Sequence, residues 1–527
     1  MKIKLIIKYL FILSCLILVF PAYIFIKRIS NDYPLREYIK DKFIDQLIDD
    51  MSFYSSSAPL AEKPIPSIYI ELSDSALCNL TKQRDQRVSA LLNGDMRLMG
   101  SSHWNYVSGK AIYHLDTFKI KIRLRGDMPS NYNRSLQEST MRLNVKNGKL
   151  LAGKRKLSLI RPALESGYYG YLFYKCFDDF GFISNDLEIV KMYFNGKYSG
   201  IRFLQEGFSK ELLASSERRN SPIFRFKNDC VDEQNRYNPS GFPEMIAYGE
   251  EKILKDTVLS TVYAKALNKY NEFIKGNIDV STCFNVREYG RFFALSDVFL
   301  SHHSNKCQNI KLYFNPIIDK FEPIAWDPNS FERYNINLDI KKGHTQRFGE
   351  ICNDPLIYPL HYVLSKNNDF LRFYTAYLKE YSQDSMVLKK INKYSKIISS
   401  TERALFRENF QERYDSKKIL LNLSKIAQDF CQNQLLYGNY YVKEKELSIR
   451  SLSNLPIIID SVRYINQTIT LNWIIAPNNM VEEIIAFDSI KNSQEKVKIY
   501  SRIINYKKNS KYEAKVFSKK EYFNKRN

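Results

Sequence analysis

The residues whose types and spacing could carry chemistry lie together in the stretch SHHSNKCQNIKLYFNPIIDKFEPIAWDPNSF, residues 301–331. Two histidines and a serine, His302 to Ser304, precede Asn309, and Asp327 follows an apolar, strand-like run. Asparagine and aspartate oxygens bind divalent cations at phosphoryl-transfer sites, and a histidine can accept a proton from a hydroxyl group. The stretch therefore indicates metal-assisted phosphoryl transfer.

The spacing is similar to that of a protein-kinase catalytic loop, H-R-D-x-x-x-x-N, which is followed one hairpin later by a metal-binding Asp. Ser304 stands at the position of the catalytic Asp, Asn309 at that of the loop Asn, and Asp327 at that of the metal-binding Asp. Each residue also has an ordinary structural interpretation. Asp327 can cap a turn, Asn309 can start a strand, and His302 and His303 can cap the preceding helix. Their joint occurrence favours the functional interpretation.

Five segments in order extend this pattern to a resemblance that spans residues 66–380. They are KIRLRGD (Lys121–Asp127), KLSLIRP (Lys156–Pro162), VKMYFNGKYSGIRFLQE (Val190–Glu206), SPIFRFKND (Ser221–Asp229) and NIKLYFNPIIDKFEPIAWD (Asn309–Asp327). With these segments the chain resembles the CotH-like spore-coat kinases, an atypical branch of the kinase fold. It looks most similar to membrane-anchored members among bacterial envelope and exopolysaccharide proteins. The resemblance implies a two-lobed kinase-like core that binds ATP and Mg²⁺.

The resemblance also implies roles for individual residues of this chain. Asn309 and Asp327 match the metal-binding residues of the family, and Asn309 is also the catalytic-loop Asn. Glu206 matches a glutamate that could hold a basic residue facing the phosphates, as the Lys–Glu pair of a kinase does. Four arginines match basic positions and suit bidentate phosphate contacts: Arg123, Arg125, Arg142 and Arg225.

Two departures from the family pattern bear on activity. Ser304 replaces the catalytic Asp, and Asn329 replaces a second Asp that many members carry after the Trp-Asp pair. Serine is not a general base at neutral pH, and loss of such a base typically lowers the rate by about 10²- to 10⁴-fold. Phosphoryl transfer depends mainly on positioning and charge neutralisation. Our hypothesis is therefore slow turnover with His303 as the proton acceptor.

The elements that must position these residues follow an α+β order. Alternating or β-rich runs predict strands at Ile68–Leu72, Phe118–Leu124, Met141–Val145 and Leu157–Ile160. Apolar periodicity predicts a helix over Tyr168–Phe180. Two hairpins are predicted: Ile189–Phe194 with Ile201–Leu204 around Asn195-Gly196, and Ile310–Phe314 with Phe321–Ala325 around Asn315-Pro316.

The second half of the chain reads as helical and then as β-structure. Helices are predicted from about Val258 to about Tyr441, interrupted by the second hairpin, with Arg287–Leu300 the clearest. Residues 455–527 contain the strand-like runs IIIDSVRYI, TITLNWII and VKIYSRIINY. We expect a kinase-like core over residues 67–445 and a small all-β domain over 455–527.

The N-terminus is predicted to be a membrane anchor. Tyr9–Ile26 is an uncharged, almost wholly apolar run about as long as a bilayer core requires. A cleaved signal peptide is the alternative, but the run is long for one and lacks a small-x-small cleavage site close behind it. We expect a transmembrane helix within residues 1–30, a juxtamembrane helix (Asn31–Met51) and linker over residues 31–66, and an extracytoplasmic body. Lysines and arginines flank both sides of the run, so the charge rule does not itself favour that orientation.

Composition and the absence of certain motifs limit the classes of partner and of function to be considered. The formal net charge is +22, which favours anionic partners such as nucleotides, acidic glycans or lipid headgroups. An alternative source of this charge is a lysine-rich proteome. The eight cysteines include no CxxC pair or zinc spacing. No nucleic-acid-binding motif, HExxH motif or G-x-S-x-G elbow is present, which argues against nucleic acid, metallohydrolase and serine-hydrolase functions.

Three functions stay open on this reading. The first is an anchored kinase-fold protein that binds ATP with Mg²⁺ and phosphorylates an envelope protein or glycan. The second is a pseudokinase-like scaffold in envelope or exopolysaccharide assembly, which Ser304 favours. The third is an acidic-glycan-binding protein without a nucleotide site, suggested by the net charge and the 37 tyrosines.

Overall fold

The computed structural model describes residues 51–52, 65–93, 104–126, 128–132, 134–227, 242–328, 358–383, 385–408, 414–441, 446–464, 467–477, 483–486, 497–506 and 509–517. They form an α+β protein. Of the described residues, those up to 175, 185–212 and 389–415 form one compact unit, and 176–184, 213–388 and 416 onwards form a second.

Seven strands of the first unit form a closed barrel. They are β1 (Ser67–Glu71), β2 (Val107–Tyr113), β3 (Asp116–Leu124), β4 (Met141–Val145), β5 (Lys156–Ile160), β7 (Leu187–Phe194) and β8 (Lys197–Glu206). The order around the barrel is β1-β2-β3-β4-β5-β8-β7. Neighbours are antiparallel except at the closure, where β1 pairs in parallel with β7, Ser67 opposite Lys191.

Alternation along β1, β3 and β4 separates the barrel core from its outer face. On β3 every second side chain from Phe118 to Leu124 is buried, while Lys119 and Lys121 are exposed. The four predicted strands and the hairpin around Asn195-Gly196 are confirmed, because period-two alternation is the pattern of a sheet with one buried face.

Helix α1 (Asp74–Leu92) and strand β2 are elements that the sequence interpretation missed. Ser73 caps α1 by accepting a hydrogen bond from the Ala76 amide at 3.3 Å. Along this helix only Leu80 and Arg87 are fully buried, so the apolar periodicity that signals a helix is weak. Arg87 instead lies over the Trp104 ring at 4.2 Å.

Helices from distant parts of the sequence accompany the barrel. Helix α2 (Gly167–Asp179) confirms the predicted helix, and α3 (Lys210–Ser215) follows β8; each crosses the boundary between the two units. The later helix α11 (Ser395–Glu408) belongs to the first unit. Glu408 Oε2 accepts a hydrogen bond from the Ile201 amide at 2.7 Å, and Tyr168 Oη lies 2.8 Å from Thr401 Oγ1. These contacts tie a distant part of the sequence to the barrel.

The second unit places helices around a five-stranded sheet. The strand order is β10-β9-β11-β12-β6. Its strands are β6 (Ile183–Ser184), β9 (Ile223–Phe226), β10 (Met245–Ala247), β11 (Lys311–Asn315) and β12 (Lys320–Ala325). Its helices are α4 (Glu250–Ile253), α5 (Thr257–Ile274), α6 (Val280–Cys283), α7 (Val286–Val298), α8 (Pro359–Leu364), α9 (Asn368–Gln383) and α12 (Ser416–Asp429), with α10 (Met386–Lys393) at the boundary. The second hairpin and the helix predicted at Arg287–Leu300 are confirmed.

A close approach of α7 to α9 depends on Gly290. A Cβ atom at this position would lie 2.8 Å from Phe373 Cβ and 2.9 Å from the Tyr374 amide nitrogen. Any larger residue would force the two helices apart. This packing matters for function because α7 leads directly into the turn that carries His302 and His303.

The chain ends in two four-stranded sheets, ordered β17-β14-β13-β20 and β16-β15-β18-β19. Their strands are β13 (Leu436–Tyr441), β14 (Glu446–Ser451), β15 (Ile457–Tyr464), β16 (Gln467–Ile475), β17 (Glu483–Ala486), β18 (Val497–Ile503), β19 (Asn509–Glu513) and β20 (Lys515–Phe517). The predicted C-terminal β-structure is therefore present. The prediction of helices up to about Tyr441 is wrong, because the tyrosine-rich residues 436–441 pair with β14 and β20.

The predicted membrane anchor, residues 1–30, lies outside the described residues. So does the juxtamembrane helix Asn31–Met51 apart from its last residue. Among the helices that the structure does describe, none is both long and apolar enough to cross a bilayer.

Candidate functional site

The turn that follows α7, His302–Asn305, is held by buried polar contacts with two other helices. Asp297 accepts a hydrogen bond from the Tyr374 hydroxyl of α9. Its other carboxylate oxygen lies 2.9 Å from His302 Nε2. Both side chains are buried, and their contact does not meet the geometry of a hydrogen bond. Asn422 Nδ2 of α12 donates to the carbonyls of Asp297 and the next residue, at 2.7 and 2.9 Å.

Ser304 closes this turn. Its hydroxyl donates to the Ser301 carbonyl oxygen at 2.7 Å, and the side chain is buried, 4% exposed. The structure therefore gives the hydroxyl a hydrogen-bonding role inside the turn. A hydroxyl committed in this way is a poor proton acceptor, in line with the low basicity of serine.

His303, Asn309 and Asp327 come together at the open side of the turn. His303 Nε2 lies 3.4 Å from Asp327 Oδ2, and both side chains are partly exposed. Asn309 Nδ2 donates to the His303 carbonyl oxygen at 3.0 Å. This hydrogen bond fixes the amide orientation, so Oδ1 is the atom of Asn309 that can act as a ligand. The sequence-predicted neighbours are thus brought together.

Asp327 occupies an unusual backbone conformation. Its φ angle is 48°, in the left-handed region, which among non-glycine residues Asn and Asp adopt most readily. It follows β12 by two residues, so the end of this strand determines where the carboxylate stands. A β-branched or bulky residue at this position would be strained.

Lys311 is a buried lysine next to the site that the sequence interpretation did not single out. Its Nζ donates to the carbonyl oxygens of Gln308 at 3.1 Å and Asn309 at 2.8 Å. Burial lowers its pKa to about 7, while the charge of Asp327 acts in the opposite direction. The lysine therefore holds the backbone beside Asn309 in place. Its position within the apolar strand β11 was the available signal, since a buried strand rarely contains lysine.

Arg225 lies on the strand next to Lys311. The two residues are direct neighbours across β9 and β11, and Arg225 lies 6.0 Å from the centre of the Tyr248 ring. It also weakens the protonated state of Lys311 through charge repulsion. The structure therefore brings Arg225 into the same unit as Asn309 and Asp327.

The other predicted arginines belong to the first unit. Arg123 of β3 is directly opposite Arg142 of β4, and both are partly buried. The Arg123 guanidinium lies 5.3 Å from the Tyr106 ring centre. Like charges directly opposite each other on a sheet are unfavourable.

Arg125 starts a hydrogen-bond network in the same unit. It donates to Gln205 Oε1 at 3.1 Å, Gln205 donates to Tyr174 Oη at 2.9 Å, and Tyr174 donates to Glu165 at 3.0 Å. Gln205, Tyr174 and Glu165 are buried. The network orients Arg125 through side chains that lie far apart in the sequence.

Glu206 is buried at the end of β8, 2% exposed. Burial raises its pKa to about 7, and the nearby charge of Lys154 acts in the opposite direction. Lys154 Nζ itself makes ion pairs with Asp186 at 2.6 Å and Glu188 at 2.9 Å. The expected basic partner of Glu206 is thus present as an electrostatic neighbour, but the direct ion pairs of that lysine are with two acids the sequence interpretation missed.

The donor set fits a hard divalent cation. Asp327 offers a carboxylate and Asn309 an amide oxygen, which are the ligand types of Mg²⁺. Among the described residues no group of three or more His, Cys, Asp or Glu could hold a metal by itself. Mg²⁺ commonly completes its coordination with phosphates and water, so two protein ligands suffice for a nucleotide-bound ion.

The comparison with protein families assigns the class. The family described as CotH kinase protein matches residues 122–437, more than half of the 527-residue chain. This chain therefore belongs to the CotH kinase family, as its motifs predicted. No curated protein matches the sequence.

Proposed function

We propose that this protein is a membrane-anchored CotH-type kinase-fold protein that binds ATP with Mg²⁺ and slowly phosphorylates an envelope protein or glycan. The observation that carries the proposal is the convergence of His303, Asn309 and Asp327. These are an imidazole, an amide and a carboxylate, with the 3.4 Å and 3.0 Å contacts described above. Family membership supports the kinase-like part.

Each residue then has a chemical task. Asn309 and Asp327 would hold Mg²⁺, which when bound neutralises phosphate charge. His303, partly exposed and beside the Asp327 carboxylate, would accept the proton of the attacking hydroxyl. Ser304 keeps the turn in shape. Arg225 adds a positive charge in the same unit as Asn309 and Asp327.

Anchoring and export are part of the proposal. The apolar run Tyr9–Ile26 supports a single membrane span. Cys307, two residues before Asn309, is disulfide-bonded, and disulfides persist mainly in oxidising compartments outside the cytoplasm. We therefore place the body on the extracytoplasmic side.

Binding of a fluorescent ATP analogue to the full-length chain in nanodiscs tests the nucleotide site. We expect binding that needs Mg²⁺ and that Asp327→Asn lowers by about tenfold or more, since a charged ligand to the metal is lost. Asparagine is the suitable replacement because it tolerates the left-handed backbone at this position. In His303→Gln, binding of the analogue should be unchanged, whereas transfer of γ-phosphate to envelope material should be slower than in the natural chain.

The matched control is Asp369→Asn, which removes an exposed carboxylate from α9 of the same unit. It should bind the analogue as the natural chain does. Equal binding by the natural chain with and without Mg²⁺, or equal loss in both variants, would contradict the proposed site.

A catalytically inactive scaffold for envelope or exopolysaccharide assembly is the second candidate. The observation that favours it is the buried Ser304 hydroxyl, hydrogen-bonded to the Ser301 carbonyl where kinases carry their base. This candidate predicts Mg²⁺-dependent nucleotide binding without any phosphate transfer in the same preparation.

A further inference from the structure

The outer face of the barrel carries a row of lysines on neighbouring strands. Lys110 of β2 is directly opposite Lys119 of β3, and Lys121 is two residues further along β3 on the same face. All three side chains are exposed. We call them the lysine row. Successive residues on one face of a strand are about 7 Å apart and opposed residues about 5 Å apart, so the three charges form a compact group.

This arrangement opposes the stability of the free protein. Like charges directly opposite each other on a sheet are destabilising. Lys121 faces Ser108 and Asn144 across the sheet, so its opposed neighbours carry no negative charge. Glu71, opposite Lys110, is an acid on this face and offsets part of its charge. A bound polyanion would offset the repulsion that remains.

A group of tyrosines adjoins the lysine row. Tyr69 of β1 stacks on Tyr193 of β7, with ring centres 4.7 Å apart, and Tyr193 lies 5.4 Å from Tyr198. Tyr69 is 40% and Tyr198 51% exposed. We call these three residues the tyrosine stack. Aromatic faces carry negative partial charge and attract the positive C–H groups of a sugar ring.

The two features meet on adjacent strands. Tyr69 and Glu71 lie on the same face of β1, and Glu71 is the neighbour of Lys110. Strand β1 thus links the stack on β7 and β8 with the lysine row on β2 and β3. The face offers cations and flat apolar rings side by side.

We propose that the lysine row and the tyrosine stack bind an acidic polysaccharide. Carboxylate groups of the polymer would pair with Lys110, Lys119 and Lys121, and its sugar rings would pack on Tyr69. Anionic lipid and nucleic acid match the charge alone. Exposed tyrosines beside lysines favour a polymer of charged sugars over a lipid surface. The inference is independent of the proposed function because it uses none of the residues around Asp327.

The test measures binding of polygalacturonate to the full-length chain in phosphatidylcholine nanodiscs at two salt concentrations. We expect binding that weakens with salt. The double substitution Lys119→Gln with Lys121→Gln should raise the Kd by about tenfold, because each exposed ion pair contributes a few-fold. Tyr69→Ala should raise the Kd by a few-fold without changing the salt dependence.

Two controls make the test specific. Lys389→Gln with Lys396→Gln removes the same charge from exposed positions of the first unit that lie off the barrel, and it should leave the Kd unchanged. If this pair weakened polygalacturonate binding as much as the substitutions in the lysine row, the effect would come from net charge alone, and the proposal would be overturned. Equally tight binding of single-stranded DNA or phosphatidylglycerol vesicles, or an unchanged Kd in Tyr69→Ala, would overturn the assignment to a polysaccharide.

Discussion

At the scale of single residues, two buried ionisable groups have pKa values far from those of exposed side chains. Glu206 and Lys311 are both buried, and burial moves both pKa values to about 7, upward for the acid and downward for the base. One lies in each unit. Both groups therefore change charge near neutral pH, unlike exposed carboxylates and lysines.

Glu206→Gln should stabilise the protein at high pH only. The folded-state pKa of about 7 lies above the ordinary pKa of a glutamate, 4.5. Between pH 4.5 and about pH 7, the folded state therefore keeps the Glu206 proton while the unfolded state loses it. The contribution of Glu206 to the free energy of unfolding falls as the pH rises through this range. The full difference is about 3 kcal/mol. Urea unfolding followed by circular dichroism should show the variant more stable than the natural chain at pH 8 and equal to it at pH 4.5.

The control for this measurement is Glu251→Gln, which changes an exposed glutamate of α4. Its effect should be within about 0.5 kcal/mol at both pH values. An equal gain by Glu206→Gln at pH 4.5 and pH 8 would show that burial of its charge is not the cause.

At the scale of elements, the candidate site depends on how three helices hold one turn. Helix α7 ends at Val298, three residues short of the turn, and α9 and α12 contact that end through Tyr374 and Asn422. A helix leaves its last carbonyl groups without partners in the helix. Asn422, on a helix more than a hundred residues away, donates to two of them, and the Asp297 carbonyl also accepts from the Leu300 amide at 3.2 Å.

Asn422→Leu should remove this support. Leucine has a similar size but no donor, so the Val298 carbonyl loses the hydrogen bond from Asn422, while the Asp297 carbonyl keeps the one from the Leu300 amide. We expect the free energy of unfolding to fall by about 1–2 kcal/mol. Mg²⁺-dependent binding of the ATP analogue should weaken as well, because the turn leads to Asn309. Asn392→Leu, at an exposed position of α10, is the control and should change neither quantity. Unchanged stability in Asn422→Leu would exclude this role of α12.

At the scale of the whole molecule, the net charge and the state of the cysteines bear on where the protein is located. The net charge of +22 suits anionic surroundings. Cys307 is disulfide-bonded, whereas Cys78, Cys176, Cys283 and Cys431 are free thiols. Cys307 lies in the loop between the turn and Asn309.

Differential alkylation tests the export of the body. In protein denatured without reductant, a thiol reagent should label Cys78 and Cys431 and leave Cys307 unlabelled, and reduction should expose Cys307. The protein should also stay in the membrane fraction after a high-salt wash, because an apolar span does not depend on charge. Labelling of Cys307 before reduction would contradict an oxidising location, and release by salt alone would contradict the anchor.

The sequence by itself determined the local elements and the site segment. Period-two alternation indicated β3, β4 and β5, Asn195-Gly196 marked the first hairpin, and the spacing from Asn309 to Asp327 placed both residues around the second. These signals are local, because a strand face or a tight turn is specified by residues near one another in sequence.

Only the tertiary structure decided which of these elements are neighbours. The parallel pairing of β1 with β7 closes the barrel across more than a hundred residues. The ion pairs of Lys154, the carbonyl contacts of Lys311 and the reach of Asn422 to α7 likewise appear only in the fold. The alternation of apolar and polar residues along a strand predicts which of its side chains face the core, but it does not predict which strand is its neighbour. Burial, and with it the pKa values of Glu206 and Lys311, follows from long-range packing that no short segment specifies.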